Sequence, residues 1–170
     1  MTKQGFTLLE LLVGLTVVSI LLLTAMPSFT QFIQNTRVET ATEDLLNAVQ
    51  LTRTNAITRN QRITMRNLGQ WELGWEVFID LDNNGTRSDD ELLLSKRGAL
   101  DNIVVIPNSP VKNYISFISS GESRRTGSPL GAFQAGTLYI CATDIESGQA
   151  LILSRSGRLR IKEAEPDDCL

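Results

Sequence analysis

The sequence predicts an α+β fold in which one long N-terminal helix packs on an antiparallel β-sheet. An uncharged, largely apolar run extends from Leu11 to Thr36, and apolar residues then recur at helical spacing as far as Asn60. The remainder consists of short alternating segments separated by Gly, Asn, Ser and Pro, which favours strands joined by turns. Short strands that follow one another pair antiparallel beside a helix. At 170 residues, we expect one domain plus a protruding helix.

The apolar run is long enough for a helix to cross a bilayer, which takes roughly 20 residues. A secretory signal peptide is one alternative, but Ala25-Met26-Pro27 is a poor cleavage site and the helical pattern continues beyond it. A plain membrane anchor is the other, and it gives no reason for Glu10, because a carboxylate is costly in hydrocarbon. Pro27 is expected to kink the helix without ending it.

The second half of the helix is predicted to be amphipathic and to end near Asn60. Its apolar positions recur at steps of three and four residues, which places them on one face of a helix. The face that packs on the sheet is predicted to consist of Val38, Ala41, Leu45, Ala48 or Val49, Thr52 and Ala56.

Eight segments after Gln61 are predicted as β-strands from their alternating pattern and turn-rich flanks. The stretch from Gly121 to Gly136, with four glycines and a proline, is predicted to be a mobile loop. The predicted strands are 63–66, 75–80, 92–96, 103–106, 114–117, 137–141, 150–153 and 158–162.

The segment Lys3-Gln4-Gly5-Phe6-Thr7-Leu8-Leu9-Glu10 resembles the class III signal sequence of type IV pilins and type II secretion pseudopilins. The resemblance is strong from Gly5 to Pro27 and implies the type IV pilin fold. It implies that a prepilin peptidase cuts between Gly5 and Phe6 and methylates the new N-terminus. Residues 1–5 are then a leader peptide, residues 6–36 a transmembrane and filament-core helix, and residues 37–170 a periplasmic globular domain.

Glu10 is expected to act in assembly, because it lies one helical turn beyond Phe6. In a helical filament its carboxylate could meet the methylated amine of Phe6 on the neighbouring subunit. Opposite charges attract strongly in a low-dielectric interior, and each charge alone would be costly there. The alternative is a membrane helix that tolerates one acidic residue near its end.

An acidic segment, Asp80-Leu81-Asp82-Asn83-Asn84-Gly85 with Glu91 in the twelfth position, matches the calcium-loop template. An EF-hand requires a helix on either side, whereas both flanks here are strand-like. We therefore favour a hairpin turn with solvated acidic side chains and predict no metal site; the alternative is a loop that binds calcium. A similar acidic turn occurs in minor pilins related to the pseudopilin H group.

Cys141 and Cys169 are the two cysteines of the chain. In the periplasmic domain that the resemblance implies, paired cysteines favour a disulfide over a metal site or a nucleophile. The bond would hold the C-terminal tail, Glu163 to Leu170, against the strand that contains Cys141. The alternative is two free thiols.

The sequence predicts no catalytic activity and no cofactor. It contains no histidine, the commonest general base, and no nucleophile elbow, phosphate loop or dinucleotide fingerprint. Closely spaced carboxylates occur in the acidic turn and in the tail, where they are expected to be solvated.

A basic segment near the C-terminus is a candidate DNA-binding surface. Arg158, Arg160 and Lys162 alternate along a predicted strand and share one face, with Arg155 nearby and Arg124 and Arg125 in the loop. Gly157-Arg158-Leu159-Arg160 also resembles the Gly-Arg-x-Arg motif of FimT-type minor pilins that bind DNA. The alternative is a solvated strand face balanced by the acidic residues Glu163, Glu165, Asp167 and Asp168.

Together these features are similar to those of minor pilins of the GspH/FimT/FimU family. The resemblance implies a low-copy subunit that joins or helps to initiate a type IV pilus, with other major and minor pilins and the prepilin peptidase as partners. It would reside in the inner membrane of a Gram-negative bacterium, with a periplasmic domain, before it enters the surface pilus. The alternatives are a minor pseudopilin of a type II secretion system and a DNA-uptake receptor, which binds DNA without sequence preference.

Overall fold

The computed structural model describes residues 7–143 and 148–169, without the side chains of residues 23–28. One long helix, α1 (Leu8–Arg59), is followed by eight strands. The strands are β1 (Ile63–Asn67), β2 (Trp75–Ile79), β3 (Leu93–Arg97), β4 (Ile103–Pro107), β5 (Tyr114–Phe117), β6 (Gly136–Ala142), β7 (Gly148–Leu153) and β8 (Leu159–Glu163).

Helix α1 is one helix of 52 residues that passes through Pro27, as the continuous helical pattern predicted. It ends where the sequence indicated, because Asn60 adopts the left-handed conformation with φ of 53° and its backbone N–H bonds back to the carbonyls of Ala56 and Ile57. Asparagine tolerates this conformation better than most residues, so it terminates a helix readily.

The strands form two four-stranded antiparallel sheets, whereas the sequence had indicated one. The first has the order β3-β2-β1-β5 and the second the order β4-β6-β7-β8. Strand β5 does not pair with β4, which precedes it in sequence. It pairs with β1, with Ile63 opposite Phe117. Local alternation fixes which side chains share a face of a strand, but it does not specify which strands pair, and that is why the division was missed.

The second half of α1 packs against both sheets and closes one hydrophobic core. The predicted helix face is correct, since Val38, Ala41, Leu45, Val49 and Ala56 are all buried. The main contributions from the sheets to this core are Ile63, Met65, Val77, Ile115, Phe117, Leu138, Ile140, Leu151 and Leu153. The predicted fold class is therefore confirmed: a long N-terminal helix lies on antiparallel β-sheets.

Candidate functional site

The N-terminal end of the helix is held by a reciprocal capping interaction that the sequence analysis missed. The Thr7 side chain accepts a hydrogen bond from the Glu10 backbone N–H at 3.3 Å. In return, Glu10 Oε2 accepts from the Thr7 backbone N–H at 2.9 Å and from the Thr7 hydroxyl at 3.0 Å. The signal was present as Thr-x-x-Glu, the pattern of a capping box. The carboxylate is therefore fixed at the helix end. Gly5 and Phe6 lie outside the described residues.

The first half of α1 presents apolar side chains to its surroundings. Leu8 is 81% exposed and Phe32 is 65% exposed, and the large apolar side chains from Leu9 to Leu22 are 50–73% exposed. In the part of the chain that the structure describes, no helix combines the length and hydropathy required to cross a membrane. The membrane-crossing role predicted for residues 6–36 stays a prediction.

Cys141 and Cys169 are joined in a disulfide, with their Cα atoms 5.8 Å apart. Strand β6 alternates, so that Leu138 and Ile140 point into the core while Cys141 points to the opposite, outer face of its sheet. The disulfide therefore draws the short 3₁₀ helix Pro166–Cys169 onto this outer face.

The tail covers part of the outer face of the second sheet. Tyr139, next to Cys141 on that face, lies beside Asp168, and burial together with this carboxylate raises the pKa of the Tyr139 phenol. The tail backbone is also tied to the sheet, since Ala164 N–H donates to the Gly148 carbonyl at 3.0 Å.

The basic residues Arg158, Arg160 and Lys162 are all exposed: Arg158 directly precedes β8, and Arg160 and Lys162 lie on β8, the edge strand of the second sheet. Arg160 lies opposite Ile152, and Lys162 lies opposite Ala150, which in turn faces Tyr139. Lys162 and the tail that covers Tyr139 therefore share one face of the sheet.

In the described residues, none of these three cations, nor Arg155, takes part in an ion pair within 4.0 Å. Arg155 is exposed in the turn before β8, so the four candidate DNA-binding residues lie close together along the chain and are open to solvent. In the described part of the tail, no acidic residue pairs with them within 4.0 Å.

Arg124 does not belong to this basic surface. Its guanidinium lies over the Phe133 ring, 3.7 Å from the centroid, and pairs with Glu122 at 2.9 Å. It also donates to the Gly131 carbonyl at 3.1 Å. These contacts hold the side chain within its own loop, and Arg124 is therefore not free to contact DNA.

The segment from Gly121 to Gly136, predicted to be a mobile loop, is tied to the rest of the domain by hydrogen bonds. Arg62, which is only 6% exposed, donates to the backbone carbonyls of Arg124, Ser128 and Pro129 and to the Ser116 hydroxyl. Burial lowers the pKa of this guanidinium, and its many acceptors compensate for the lost water. Sequence reasoning missed Arg62 because arginine is expected at the surface.

The acidic segment is a 13-residue connection between β2 and β3, so it is no tight Asn-Gly hairpin turn. Asp80 and Glu91 are buried, at 2% and 4% exposure, whereas Asp82 is exposed. The expectation that these carboxylates are solvated is therefore wrong for two of the three. Burial raises the pKa of Asp80, and hydrogen bonding from Thr64 opposes that shift.

Each part of the molecule described above is consistent with a structural subunit of the pilin class. Within the residues 7–143 and 148–169 there is a long helix with an uncovered apolar half, a disulfide-held tail and two antiparallel sheets. A family model described as Type II transport protein GspH matches residues 41–157. That is more than half of the chain, and the chain therefore belongs to this family of minor pilins and pseudopilins. A model of the prokaryotic N-terminal methylation motif matches residues 1–26.

Three solved structures resemble the fold. Two are crystal forms of the type IV minor pilin FimU of Pseudomonas aeruginosa. The first has 21% identity and a TM-score of 0.58, and the match covers 73% of this chain and 91% of that chain. The second has 20% identity and a TM-score of 0.59, and the match covers 80% of this chain and 94% of that chain. The third is the minor pseudopilin EpsH of the Vibrio cholerae type 2 secretion system, with 13% identity and a TM-score of 0.53 over 75% and 97%. No curated protein sequence matches the chain.

Proposed function

We propose that this chain is a minor pilin, a low-abundance subunit that joins a type IV pilus or helps to initiate its assembly. The observation that carries the proposal is the first half of α1, an exposed apolar surface whose one charged residue, Glu10, lies at its start. Such a surface requires a bilayer or the apolar helices of other subunits around it. A pilus provides both in turn, since its subunits are stored in the inner membrane and then packed helix against helix.

Processing is part of this proposal. A prepilin peptidase would cut between Gly5 and Phe6, because glycine offers an unobstructed backbone to a protease. The new N-terminus at Phe6 would then carry a methylated amine next to the Thr7–Glu10 cap. The match of residues 1–26 to the methylation motif supports this site.

The test is a deletion of the gene in its native host, complemented with the wild-type chain. We expect loss or reduction of surface pili in the deletion strain and their return on complementation. Mass spectrometry of sheared pili should find a small amount of this chain, starting at N-methylated Phe6. Normal piliation with failure of type II secretion would instead assign the chain to a pseudopilus, and a chain that starts at Met1 would contradict the processing step.

A second candidate function is sequence-independent binding of DNA during uptake. It is supported by the exposed row of Arg158, Arg160 and Lys162, which has no ion-pair partner in the described residues, with Arg155 beside it. Three cations at alternate positions, two on β8 and one directly before it, can contact successive phosphates, and such contacts carry no base information. Binding should be weak, because the chain has a net charge of −3.

The DNA hypothesis predicts dissociation constants on the order of 10⁻⁴ to 10⁻⁶ M at physiological salt. The full chain in detergent is titrated with duplex DNA at two salt concentrations, with the variant R158Q/R160Q alongside. Each lost phosphate contact should reduce the log–log salt slope by roughly one. The matched control is R59Q/K96Q, which removes two exposed cations elsewhere. Equal binding by all three proteins would mean that this strand face is only solvated.

A further inference from the structure

The loop between β2 and β3 brings three carboxylates together. Asp80, Asp82 and Glu91 each direct one carboxylate oxygen to a common place, where these atoms all lie within 4.8 Å of one another. Two of the three side chains are buried. Like charges at such distances repel, and burial strengthens that repulsion because water no longer screens it.

The Asp80 carboxylate contains an oxygen without a partner. Its Oδ2 accepts hydrogen bonds from the Thr64 hydroxyl at 2.6 Å and from the Gly85 backbone N–H at 3.1 Å. Its Oδ1 is fully buried and has no hydrogen-bond partner among the described residues, although Asp80 is only 2% exposed. A buried charged oxygen without a donor is costly, and an ion is one of the few groups that can satisfy it.

The nearby arginines do not satisfy this oxygen. The Arg62 guanidinium donates to Asn83 Oδ1 at 2.7 Å, to the Ser116 hydroxyl at 2.8 Å and to backbone carbonyls of the 121–136 segment. Arg66 donates to the Gly85 carbonyl at 2.8 Å and to the Thr86 hydroxyl. Both side chains therefore bond to uncharged oxygens around the loop, and neither donates a hydrogen bond to a carboxylate of the cluster.

Glu91, the last member of the cluster, is already held in position. Its Oε1 accepts from the Leu81 backbone N–H at 2.8 Å, and its Oε2 accepts from the Ser88 backbone N–H at 2.9 Å. Each carboxylate oxygen has a second lone pair, so these bonds orient the group and leave it able to bind a cation. Little rearrangement of this side chain would be needed on binding.

We propose that the loop from Asp80 to Glu91 binds a calcium ion through the carboxylates of Asp80, Asp82 and Glu91. Calcium takes six to eight oxygen ligands in flexible geometry, and backbone carbonyls and water can complete the set. The positions of these residues as first, third and twelfth in the loop, with Gly85 sixth at φ 75°, follow the calcium-loop template. The flanks are strands, which makes this a calcium-binding β-connection and not an EF-hand.

The test is calorimetric titration of the full chain in detergent with calcium chloride after treatment with a chelator. We expect saturable binding of one ion with a dissociation constant on the order of 10⁻⁴ to 10⁻³ M, the range of extracellular calcium modules. Thermal unfolding should shift upward with added calcium, because a ligand that binds only the folded state stabilises it. Magnesium should bind at least about tenfold more weakly, since it requires near-ideal octahedral geometry.

Two variants assign the site. D80N keeps the size of the side chain and an acceptor for Thr64, and E91Q does the same at the other end of the loop. Each should weaken calcium binding by at least about tenfold and remove the thermal shift. The matched control is D89N, which removes one exposed charge from the same loop outside the cluster.

The wild-type titration decides the proposal even where a variant fails to fold. No saturable calcium binding by the wild-type chain would overturn it. An equal response to magnesium, or a D80N variant that binds calcium like the wild type, would mean that the acidic surface only attracts cations loosely, and this too would overturn the proposal.

Discussion

Gly157, the first residue of the Gly-Arg-x-Arg motif, has a packing role that is independent of DNA. It lies buried in the turn before β8 with φ of 76°, in the left-handed region. A Cβ atom there would overlap the Gly121 carbonyl oxygen and lie 2.9 Å from the Phe117 ring. Arg53 of α1 fixes the same place, donating to the carbonyls of Gly121 and Ser156 at 3.0 and 3.2 Å. Because Gly157 has no side chain, the turn before β8 can pack closely against both the 117–121 segment and Arg53 of α1.

We predict that Gly157→Ala destabilises the chain by more than the roughly 1–2 kcal/mol that an alanine in the left-handed conformation costs. The excess comes from the overlap with the Gly121 backbone, which cannot move aside cheaply. Thermal and urea unfolding followed by circular dichroism measure the loss.

The matched control for this prediction is Gly127→Ala. Gly127 also has positive φ, at 97°, but a Cβ there would meet no atom within 4 Å. Gly127→Ala should therefore lose only the stability that the left-handed backbone conformation costs. Equal losses at the two positions would contradict the packing argument.

Secondary-structure elements were the most predictable level of this molecule. The helix end at Asn60 and all eight strands follow from local signals, because periodicity and turn residues depend on neighbours in sequence. The split into two sheets depends on strand pairing between distant residues, and the placement of the 121–136 segment depends on the hydrogen bonds of Arg62. Of the candidate sites, the carboxylate positions in the acidic loop were recognisable, but the burial of Asp80 and Glu91 was not.

We predict that the disulfide holding the C-terminal tail contributes to the stability of the folded chain. The bond closes a loop with a sequence separation of 28 residues, for which the chain-entropy model gives a stabilisation of about 3–4 kcal/mol. Reduction should lower the free energy of unfolding of the wild type by about that amount.

The control for this effect is the double variant C141A/C169A, whose unfolding should not respond to reductant. The disulfide also packs closely on strand β7, since a Cβ at Gly148 would lie 2.7 Å from Cys169 Sγ. Labelling of both thiols in the native protein without reductant would show that the tail is held in some other way.

The molecule as a whole divides at about the middle of α1. Beyond Val38 one face of the helix is buried against two sheets, as in the core of an ordinary domain, whereas the described apolar side chains from Leu8 to Leu22 are exposed. The globular half can therefore be stable while the apolar half moves from one apolar environment to another. That is the physical requirement for a subunit transferred from a bilayer into a filament.

The cap at the start of α1 makes the assembly role of Glu10 testable against a structural role. If the carboxylate partners the amine of a neighbouring subunit, Glu10→Ala should be cleaved and inserted normally but recovered far less in sheared pili. Thr7→Ala removes the hydroxyl of the capping box while keeping the carboxylate, and should enter pili nearly as well as the wild type.

If Glu10 served only to start the helix, both variants would show the same loss of incorporation, since capping contributes typically about 1 kcal/mol whichever partner is removed. Glu43→Ala, which removes an exposed acid from the packed half of α1, controls for charge. Quantitative immunoblots of sheared and membrane fractions provide the measurement, and normal recovery of Glu10→Ala would refute the assembly role.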